Sequence, residues 1–182
     1  MKRSAYWIVA AFCLAISTTV MADDVSDTFA VSGLIGGVFP LSPDYVTSTA
    51  DSAGLDLGGM FSFQLGPRLG FGISYENMNL GNGLRVSPID LVLLMRFMPE
   101  SRWTPTFQIG GGSAKGVNSD RLENGNFKTG IGLDYFINPK LTVGPQFNYY
   151  YISHSADAQT YLHMVGVNFA VTYFFGSLSG GH

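Results

Sequence analysis

The chain has 182 residues, of which 46% are apolar, 14% aromatic and only 13% charged. Ordinary soluble domains have about 25% charged residues, and a soluble protein with strong hydrophobic alternation must cover its outer face with Lys, Glu and Asp. The scarcity of charge therefore indicates an outer face that is not in water. The formal net charge is -3 and would be near -5 without Lys2 and Arg3 (8 basic residues against 13 acids), which argues against nucleic acid as a partner.

The N-terminus has the pattern of a cleaved secretory signal. Lys2 and Arg3 precede an apolar stretch from about 5 to 20, and Val20-Met21-Ala22 has the small-residue character of a cleavage site. The alternative, an uncleaved anchor helix, is disfavoured because about 16 residues fall short of the ~20 that span a bilayer. Residues 1–22 are thus predicted to be removed.

Cleavage would leave a chain without thiol chemistry. Cys13 is the only cysteine, and it lies inside the predicted signal. Phe12 and Ala11 precede it where a lipoprotein site would have small residues, so lipid attachment ranks low. The remaining chain carries 8 Lys and Arg against 13 acids.

Eight segments of that chain alternate apolar residues with polar or small ones at a period of two, which predicts β-strands with two unlike faces. In chain order they span about 29–39, 55–65, 69–76, 86–97, 103–114, 127–136, 141–151 and 161–175. Long loops are predicted at 40–54 (PLSPDYVTSTADSAG), 77–85 (NMNLGNGLR), 115–126 (KGVNSDRLENGN) and 152–160 (ISHSADAQT). The segments 127–136 and 141–151 form the clearest pair, a hairpin around Asn138-Pro139.

The predicted connections alternate between long and short, and each short one contains a proline, Pro67, Pro99 or Pro139. This asymmetry is typical of outer-membrane barrels, which have short periplasmic turns and long outer loops. A soluble barrel would instead bury the aromatic face. The sequence therefore predicts an all-β fold, an eight-stranded antiparallel up-and-down transmembrane β-barrel over residues 23–175, with a short tail at 176–182.

Three segments, TPTFQIGGGSA, GIGLDYFINPKLTV and GVNFAVTYFF, resemble the small eight-stranded outer-membrane proteins of the OmpA, OmpX and OmpW type and the porin-opacity group. The resemblance implies a monomer in the outer membrane of a Gram-negative bacterium. Outer-membrane lipid, lipopolysaccharide and the barrel-assembly machinery are the implied partners, with both chain ends in the periplasm. The tail GSLSGGH departs from the pattern, since such barrels usually stop at the terminal Phe.

Six ionisable side chains are predicted to face the narrow lumen. A first group lies toward the outer end and a second toward the periplasmic end: Asp56, Glu76, Asp90 and Lys128, then Arg96 and Asp134. Buried charges must be paired or hydrated, so we expect an ion-pair and water network that plugs the barrel and includes an Arg96–Asp134 pair. Gating or cation binding is the alternative.

Glycines are frequent on the inward face. They would leave room for bulky inward side chains such as Met60, Phe136 and Tyr150, or alternatively leave a cavity. The inward glycines are Gly58, Gly70, Gly72, Gly110, Gly112, Gly130, Gly132, Gly144 and Gly166.

Outward aromatic side chains are expected to collect at the two membrane interfaces, where a ring lies partly in lipid and partly in water. The periplasmic girdle is predicted to contain Phe97, Trp103, Tyr135, Tyr173 and Phe175. The outer girdle is predicted to contain Tyr75, Tyr149, Tyr151 and Tyr161.

Candidate chemistry elsewhere is weak, and no cofactor, metal or catalytic residue is predicted. GGGSAKG at 110–116 lacks the Ser or Thr after Lys115 and the strand-loop-helix context of a phosphate loop. Ser153-His154-Ser155 departs from the spacing of lipid A deacylases, and no acid follows on the last strand. His163 has no second ligand at metal-binding spacing and is expected at the interface.

The sequence thus favours a non-enzymatic barrel with an envelope-structural or surface-interaction role through four outer loops. The alternative is a narrow conduit or carrier for small hydrophobic compounds. It would need a lumen cavity, which inward Leu34, Val92, Leu94 and Met164 leave arguable. A lipid A-modifying hydrolase is a remote third candidate.

Overall fold

A computed structural model describes residues 25–41, 53–81, 84–116, 124–153 and 161–177. These residues form eight strands in one closed antiparallel barrel, in which each strand pairs with its neighbours in sequence and the last pairs with the first. The strands are β1 (Thr28–Pro40), β2 (Gly54–Gln64), β3 (Leu69–Asn79), β4 (Arg85–Arg96), β5 (Trp103–Gly116), β6 (Asn124–Asn138), β7 (Leu141–Ser153) and β8 (Tyr161–Ser177). Across the described ranges, no helix has the length and apolar character needed to cross a membrane.

The predicted fold class is confirmed, and so is the direction of the side chains. On β3, the exposed residues are Leu69, Phe71, Ile73 and Tyr75, and the buried ones are Gly70, Gly72, Ser74 and Glu76. The register pairs outward residues with outward ones and inward residues with inward ones on neighbouring strands, for example Phe61 opposite Ile73 and Ser62 opposite Gly72. Because successive side chains in a strand point to opposite faces, one apolar set covers the outside and one mixed set fills the lumen.

Three tight connections join strands at the end of the barrel that also holds Thr28 and Ser177, which we call the terminal end. In the β6–β7 turn, Asn138 Oδ1 accepts a hydrogen bond of 2.9 Å from the Lys140 amide. In the β2–β3 turn, the Leu65 amide donates to the Leu69 carbonyl at 2.8 Å. The opposite end, where residues 42–52, 82–83, 117–123 and 154–160 connect the strands, is called the loop end.

The predicted loop at 77–85 is wrong in extent. β3 continues through Asn79 and β4 begins at Arg85, and a hydrogen bond of 2.9 Å from the Leu80 amide to the Leu84 carbonyl closes the link. Gly81 has a φ of 78°, a left-handed conformation that glycine adopts without a steric penalty. This connection is no longer than the β4–β5 turn, so the strict alternation of long and short links fails here.

Strands β5 and β6 also exceed their predicted bounds, because their ladder continues from Gly111–Phe127 to Ala114–Asn124. The predicted loop at 115–126 is therefore wrong at both ends, where β5 runs to Gly116 and β6 begins at Asn124; residues 117–123 lie outside the described ranges. The GGGSAKG segment lies in β5, which removes the loop that a phosphate site requires. β7 and β8 each run two residues past their predicted ends, to Ser153 and Ser177. The predicted signal at 1–22 and residues 178–182 of the tail lie outside the described residues.

Inward glycines let neighbouring strands approach closely. A Cβ atom on Gly112 or Gly144 would collide with the carbonyl oxygen of Ile89 or Leu133 on the adjacent strand. A Cβ on Gly166 would come within 3.1 Å of the Tyr150 ring. The glycines thus make room both for backbone and for a large lumen side chain.

Candidate functional site

The lumen is the first candidate site, and its terminal end is closed by apolar side chains. Val25, Ala30, Phe136 and Phe174 form a buried cluster. The rings of Phe136 and Phe174 stack with centroids 6.1 Å apart. Val25 precedes β1 and is held by the Thr28 hydroxyl, which donates to its carbonyl at 2.6 Å. We call this cluster the terminal plug.

Arg96 and Asp134 lie next to the terminal plug. Arg96 Nε is 3.9 Å from Asp134 Oδ2, the long end of the ion-pair range, and the Arg96 guanidinium also donates to Gln64 Oε1. Its carbon lies 4.9 Å from the Phe174 ring centroid. The pair predicted from sequence is therefore within bridging distance, but Gln64 and Phe174 share the contacts of the arginine.

The interior next to Arg96 holds one small cavity of about 20 Å³. That volume accommodates about one water molecule. Polar and charged groups dominate its lining: Ser32, Ser62, Arg96, Thr106, Gln108, Asp134, Gln146 and Thr172, with Met60, Leu94 and Met95. Further along, Gln108 Nε2 donates to Asn148 Oδ1 at 2.5 Å, so lumen side chains of β5 and β7 meet over Gly130, which pairs with both residues on β6.

The second group of predicted lumen charges meets toward the loop end. Lys128 Nζ donates to Glu76 Oε1, and the ammonium lies 5.6 Å from the Tyr150 ring centroid. Asp90 accepts a hydrogen bond of 2.6 Å from Asn126. Asp56 accepts one of 2.9 Å from Asn168. Two of the three carboxylates are thus held by amides and one by the lysine.

Acceptors outnumber donors in this group. A second carboxylate oxygen has no hydrogen-bond partner within the described residues on Asp56, Glu76 and Asp90 alike. All three acids are at most 1% exposed. Nevertheless, nowhere in the described part of the chain do three His, Cys, Asp or Glu side chains assemble with metal-binding geometry. Buried polar atoms of this kind are commonly bridged by ordered water.

A larger apolar cluster closes the lumen beyond these charges. It consists of Val38, Met78, Leu80, Val86, Ala114, Tyr150, Ile152, Leu162 and Met164, with Leu84 packed against it. We call it the loop plug. Sequence reasoning identified Tyr150 as a lumen side chain but missed this plug. The signal was present, since Met78 and Leu80 continue the inward series of β3 into the segment that was interpreted as a loop.

The outer wall is the second candidate surface. Charged side chains on the described strands point inward, except Arg85 and Lys115, which lie at the loop end of β4 and β5. Between the loop end and the terminal end, large apolar residues are exposed on the outside; Leu91 is 70% and Ile131 60% exposed. The result is a continuous apolar band around the barrel.

The predicted girdle residues lie near the rims of this band. At the terminal end, Trp103 and Tyr135 contact each other with centroids 4.6 Å apart, and Arg102 lies over the Tyr135 ring at 4.7 Å. Tyr173 and Phe175 stack on β8, and Phe97 is exposed just after β4. At the loop end, Tyr151 and Tyr161 stack at 5.3 Å, and Tyr75 and Tyr149 lie on β3 and β7.

His163 belongs to the aromatic group at the loop end. Its Nδ1 lies 2.5 Å from the Tyr149 hydroxyl, and its ring packs edge-on against Tyr151. The Ser153-His154-Ser155 segment is described only at Ser153, whose hydroxyl donates to the Gly125 carbonyl at 3.3 Å; the other two residues lie outside the described ranges. The described contacts provide no hydrolytic arrangement.

A phenylalanine cluster near the terminal end was not predicted. Phe29 contacts Phe61, Phe63 and Phe175 with centroids 5.8, 5.1 and 6.3 Å apart. Phe63 also meets Phe71 edge-on at 5.9 Å. Beside these rings is an outward groove of about 410 Å³. The cluster depends on the register of three separate strand pairs, which alternation within one strand does not specify.

A closed eight-stranded antiparallel barrel with an uncharged outer band is the architecture of transmembrane β-barrels, and the chain has the fold of the small outer-membrane members of that class. Solved structures with this fold include Neisserial surface protein A, with a TM-score of 0.63 and 15% identity over 81% of this chain and 97% of that one. OprG from Pseudomonas aeruginosa gives 0.55 and 13% over 84% and 97%. Ail, the attachment invasion locus protein of Yersinia pestis, gives 0.55 and 13% over 82% and 99%.

No protein-family model matches the chain, and no match was found among curated protein sequences. The likeness to the solved barrels, at 13 to 15% identity, shows the fold alone.

Proposed function

We propose that the mature chain is a non-enzymatic integral protein of a Gram-negative outer membrane, with an envelope-structural or surface-interaction role through its outer loops. The observation that carries this proposal is the contrast between the two faces of one wall. The outside is apolar and, between Arg85, Lys115 and the terminal end, free of charge on the described strands. The inside instead holds two ion pairs and two further carboxylates, which are hydrogen-bonded by Asn126 and Asn168. Such a wall is stable only with lipid around it.

A conduit or carrier for small hydrophobic compounds has less support. A compound would have to pass both plugs and the side chains that meet between them, and the cavity of about 20 Å³ next to Arg96 has room for about one water molecule. Leu34, Val92 and Leu94 are buried, with at most 9% of each residue exposed. These apolar lumen residues, which could have lined a cavity, are therefore packed against their neighbours. The proposed role therefore lies with the wall and the loops.

The proposal includes an orientation and partners. Since short turns lie on the periplasmic side of such barrels, the terminal end is assigned to the periplasm, with both chain ends, and the loop end to the outside. Outer-membrane lipid and lipopolysaccharide are the proposed surroundings, the barrel-assembly machinery the proposed assembly partner, and the monomer the proposed state.

Fractionation combined with gel mobility tests the proposal. The protein is expected in the outer-membrane fraction and should migrate differently before and after boiling, as a folded barrel does. A tag inserted at 117–123 should be accessible to added protease on intact cells, and one after residue 177 should not. Recovery as a soluble periplasmic protein without a mobility shift would overturn the proposal.

The two competing functions have separate readouts. Reconstituted barrels should pass small hydrophobic solutes no faster than protein-free liposomes, with no change on Asp134→Asn. Lipid A from expressing cells should keep its mass, and His154→Ala should make no difference. Solute flux that responds to Asp134 would establish the conduit instead, and a lipid A mass change that depends on His154 would establish the hydrolase.

A further inference from the structure

The groove beside the phenylalanine cluster is a concavity of the apolar band, larger than the one of about 250 Å³ between β5 and β8. Four phenylalanines line it together with Ile73 and Leu91, in a volume of about 410 Å³. That volume falls within the range of small-molecule sites, about 300–1,000 Å³. The lining side chains are Phe29, Phe61, Phe63, Phe71, Ile73 and Leu91. They come from β1, β2, β3 and β4, so the groove crosses four neighbouring strands.

The ring contacts hold the walls in place. Phe29 and Phe61 stack with an interplanar angle of 20°, and Phe63 is fixed between Phe29 and Phe71. Packed aromatic pairs of this geometry stabilise each other beyond the burial of their area. The groove is therefore preformed, and an occupant need not order its walls.

One cation lies in the turn beyond the terminal end of the groove. Arg68 occupies the β2–β3 turn, with the pairs Gln64–Gly70 and Leu65–Leu69 between it and Phe63–Phe71. Its carbonyl accepts a hydrogen bond of 2.8 Å from the Arg96 amide, which ties the turn to the end of β4. The Arg68 side chain is exposed and makes no hydrogen bond or ion pair with the described residues. Leu65 and Leu69, on either side of the turn, are 54% and 38% exposed.

This arrangement matches one ligand chemistry. An apolar groove in the lipid band, with an unpaired guanidinium where the band ends, complements an acyl chain that continues into an anionic phosphate. Arg extends its charged head to the interface while its stem stays against apolar surface. Within the described ranges, Lys140 is the other fully exposed cation of the terminal end, and it lies in the β6–β7 turn on a different side of the barrel.

We propose that this groove is a binding site for an anionic glycerophospholipid of the leaflet at the terminal end, with an acyl chain along Phe61 and the headgroup phosphate on Arg68. The proposal rests on the proposed membrane location. It goes further in assigning one face of the barrel and one lipid charge, because a uniform apolar band would show no preference for either.

Native mass spectrometry of the folded barrel with equal amounts of dioleoyl phosphatidylglycerol and dioleoyl phosphatidylcholine tests the site. We expect a one-to-one adduct that favours phosphatidylglycerol. Arg68→Gln should reduce that preference about fivefold, the effect expected of one cation near a lipid surface. Phe61→Ala should weaken adducts of both lipids, because it removes the apolar wall.

Two matched variants serve as controls. Lys140→Gln removes an exposed cation from another turn, and Phe169→Ala removes an outward ring that is 48% exposed, against 52% for Phe61. Neither should change the adducts. Equal loss in Arg68→Gln and Lys140→Gln, or no preference in the unaltered protein, would overturn the site.

The same spectra distinguish other occupants. A dimer that disappears in Phe61→Ala would mean that the groove binds a second copy of the chain, and preferential retention of lipopolysaccharide would mean that the lipid class is wrong; both results contradict the proposal. A protein without the gel mobility shift would contradict the membrane barrel itself, whereas a shifted barrel without selective adducts would contradict only the lipid site.

Discussion

Lys128 on β6 reaches across the lumen to Glu76 on β3, and neither residue is more than 1% exposed. Among the described residues, the lysine is the one cation beside three carboxylates at this level, since Asp56 and Asp90 are held by the amides of Asn168 and Asn126. A buried charge without a partner is strongly destabilising. The contact therefore gives each of the two buried charges, the Lys128 ammonium and the Glu76 carboxylate, a partner of opposite sign.

Lys128→Met should lower the free energy of unfolding by about 3–5 kcal/mol, because it leaves the Glu76 carboxylate buried without its partner. The measurement is urea unfolding of the barrel in lipid vesicles. Lys115→Met is the control, since that lysine is exposed at the end of β5 and should have little effect. The double variant Lys128→Met with Glu76→Gln should recover much of the loss; additive losses would mean that the two residues act independently.

Leu91→Arg tests the direction of the wall. Leu91 is outward, 70% exposed and central in β4, and an arginine at the bilayer midplane costs about 2–4 kcal/mol in such barrels. The same substitution at Ser113, near the loop end of β5, should cost about 0–1 kcal/mol. Unfolding in vesicles measures both. Equal costs at the two positions would mean that Leu91 is not at membrane depth.

Gly144→Ala and Gly33→Ala form a matched pair. A Cβ at Gly144 would collide with the Leu133 carbonyl, whereas nothing lies within 4 Å of a Cβ at Gly33. We expect Gly144→Ala to destabilise by about 1–3 kcal/mol, as overpacking does, and Gly33→Ala to stay within about 0.5 kcal/mol of the unaltered protein. A neutral Gly144→Ala would contradict the close approach of β6 and β7.

Trp103 reports on the depth of the rim at the terminal end. The chain has two tryptophans, Trp7 and Trp103, so removal of residues 1–22 would leave one. Its emission should shift to the blue on folding into vesicles. Lipids brominated near the headgroup should quench it more than lipids brominated near the chain terminus, because interfacial aromatic residues lie at headgroup level. The opposite order would place Trp103 near the bilayer centre and contradict its assignment to the girdle.

The inward and outward faces of the wall could be predicted from the sequence because the two faces of each strand lie in different environments, the proposed lipid outside and the polar lumen inside. Leu69 to Glu76 alternates without a break, and the structure sorts that segment as the alternation predicts. The ends of strands were less readable, since polar residues such as Asn77 and Asn126 also occur inside the ladder, where Asn126 satisfies Asp90. Local composition cannot separate a loop asparagine from one that serves a buried carboxylate.

Contacts across the barrel were the least readable. Alternation predicted that each charged side chain points into the lumen. Its partner there depends on the relative height and rotation of strands that do not pair directly. Glu76 and Lys128 lie on β3 and β6, with two strands between them. The hydrogen bond from the Arg96 guanidinium to Gln64 on β2 could not be predicted from the pattern of charges, because Gln64 is neutral.

The seam between β1 and β8 joins residues far apart in the chain, as in the hydrogen bond of 2.8 Å between the hydroxyls of Ser32 and Thr172, 140 residues apart. Until the last strand is in place, the sheet has two open edges whose backbone groups cannot be satisfied in hydrocarbon. A chain truncated before residue 161 should therefore not form a closed barrel at all, rather than form a slightly smaller one. Synthesis must be complete before the wall can close, and closure is an all-or-none event decided by the final seventeen-residue strand.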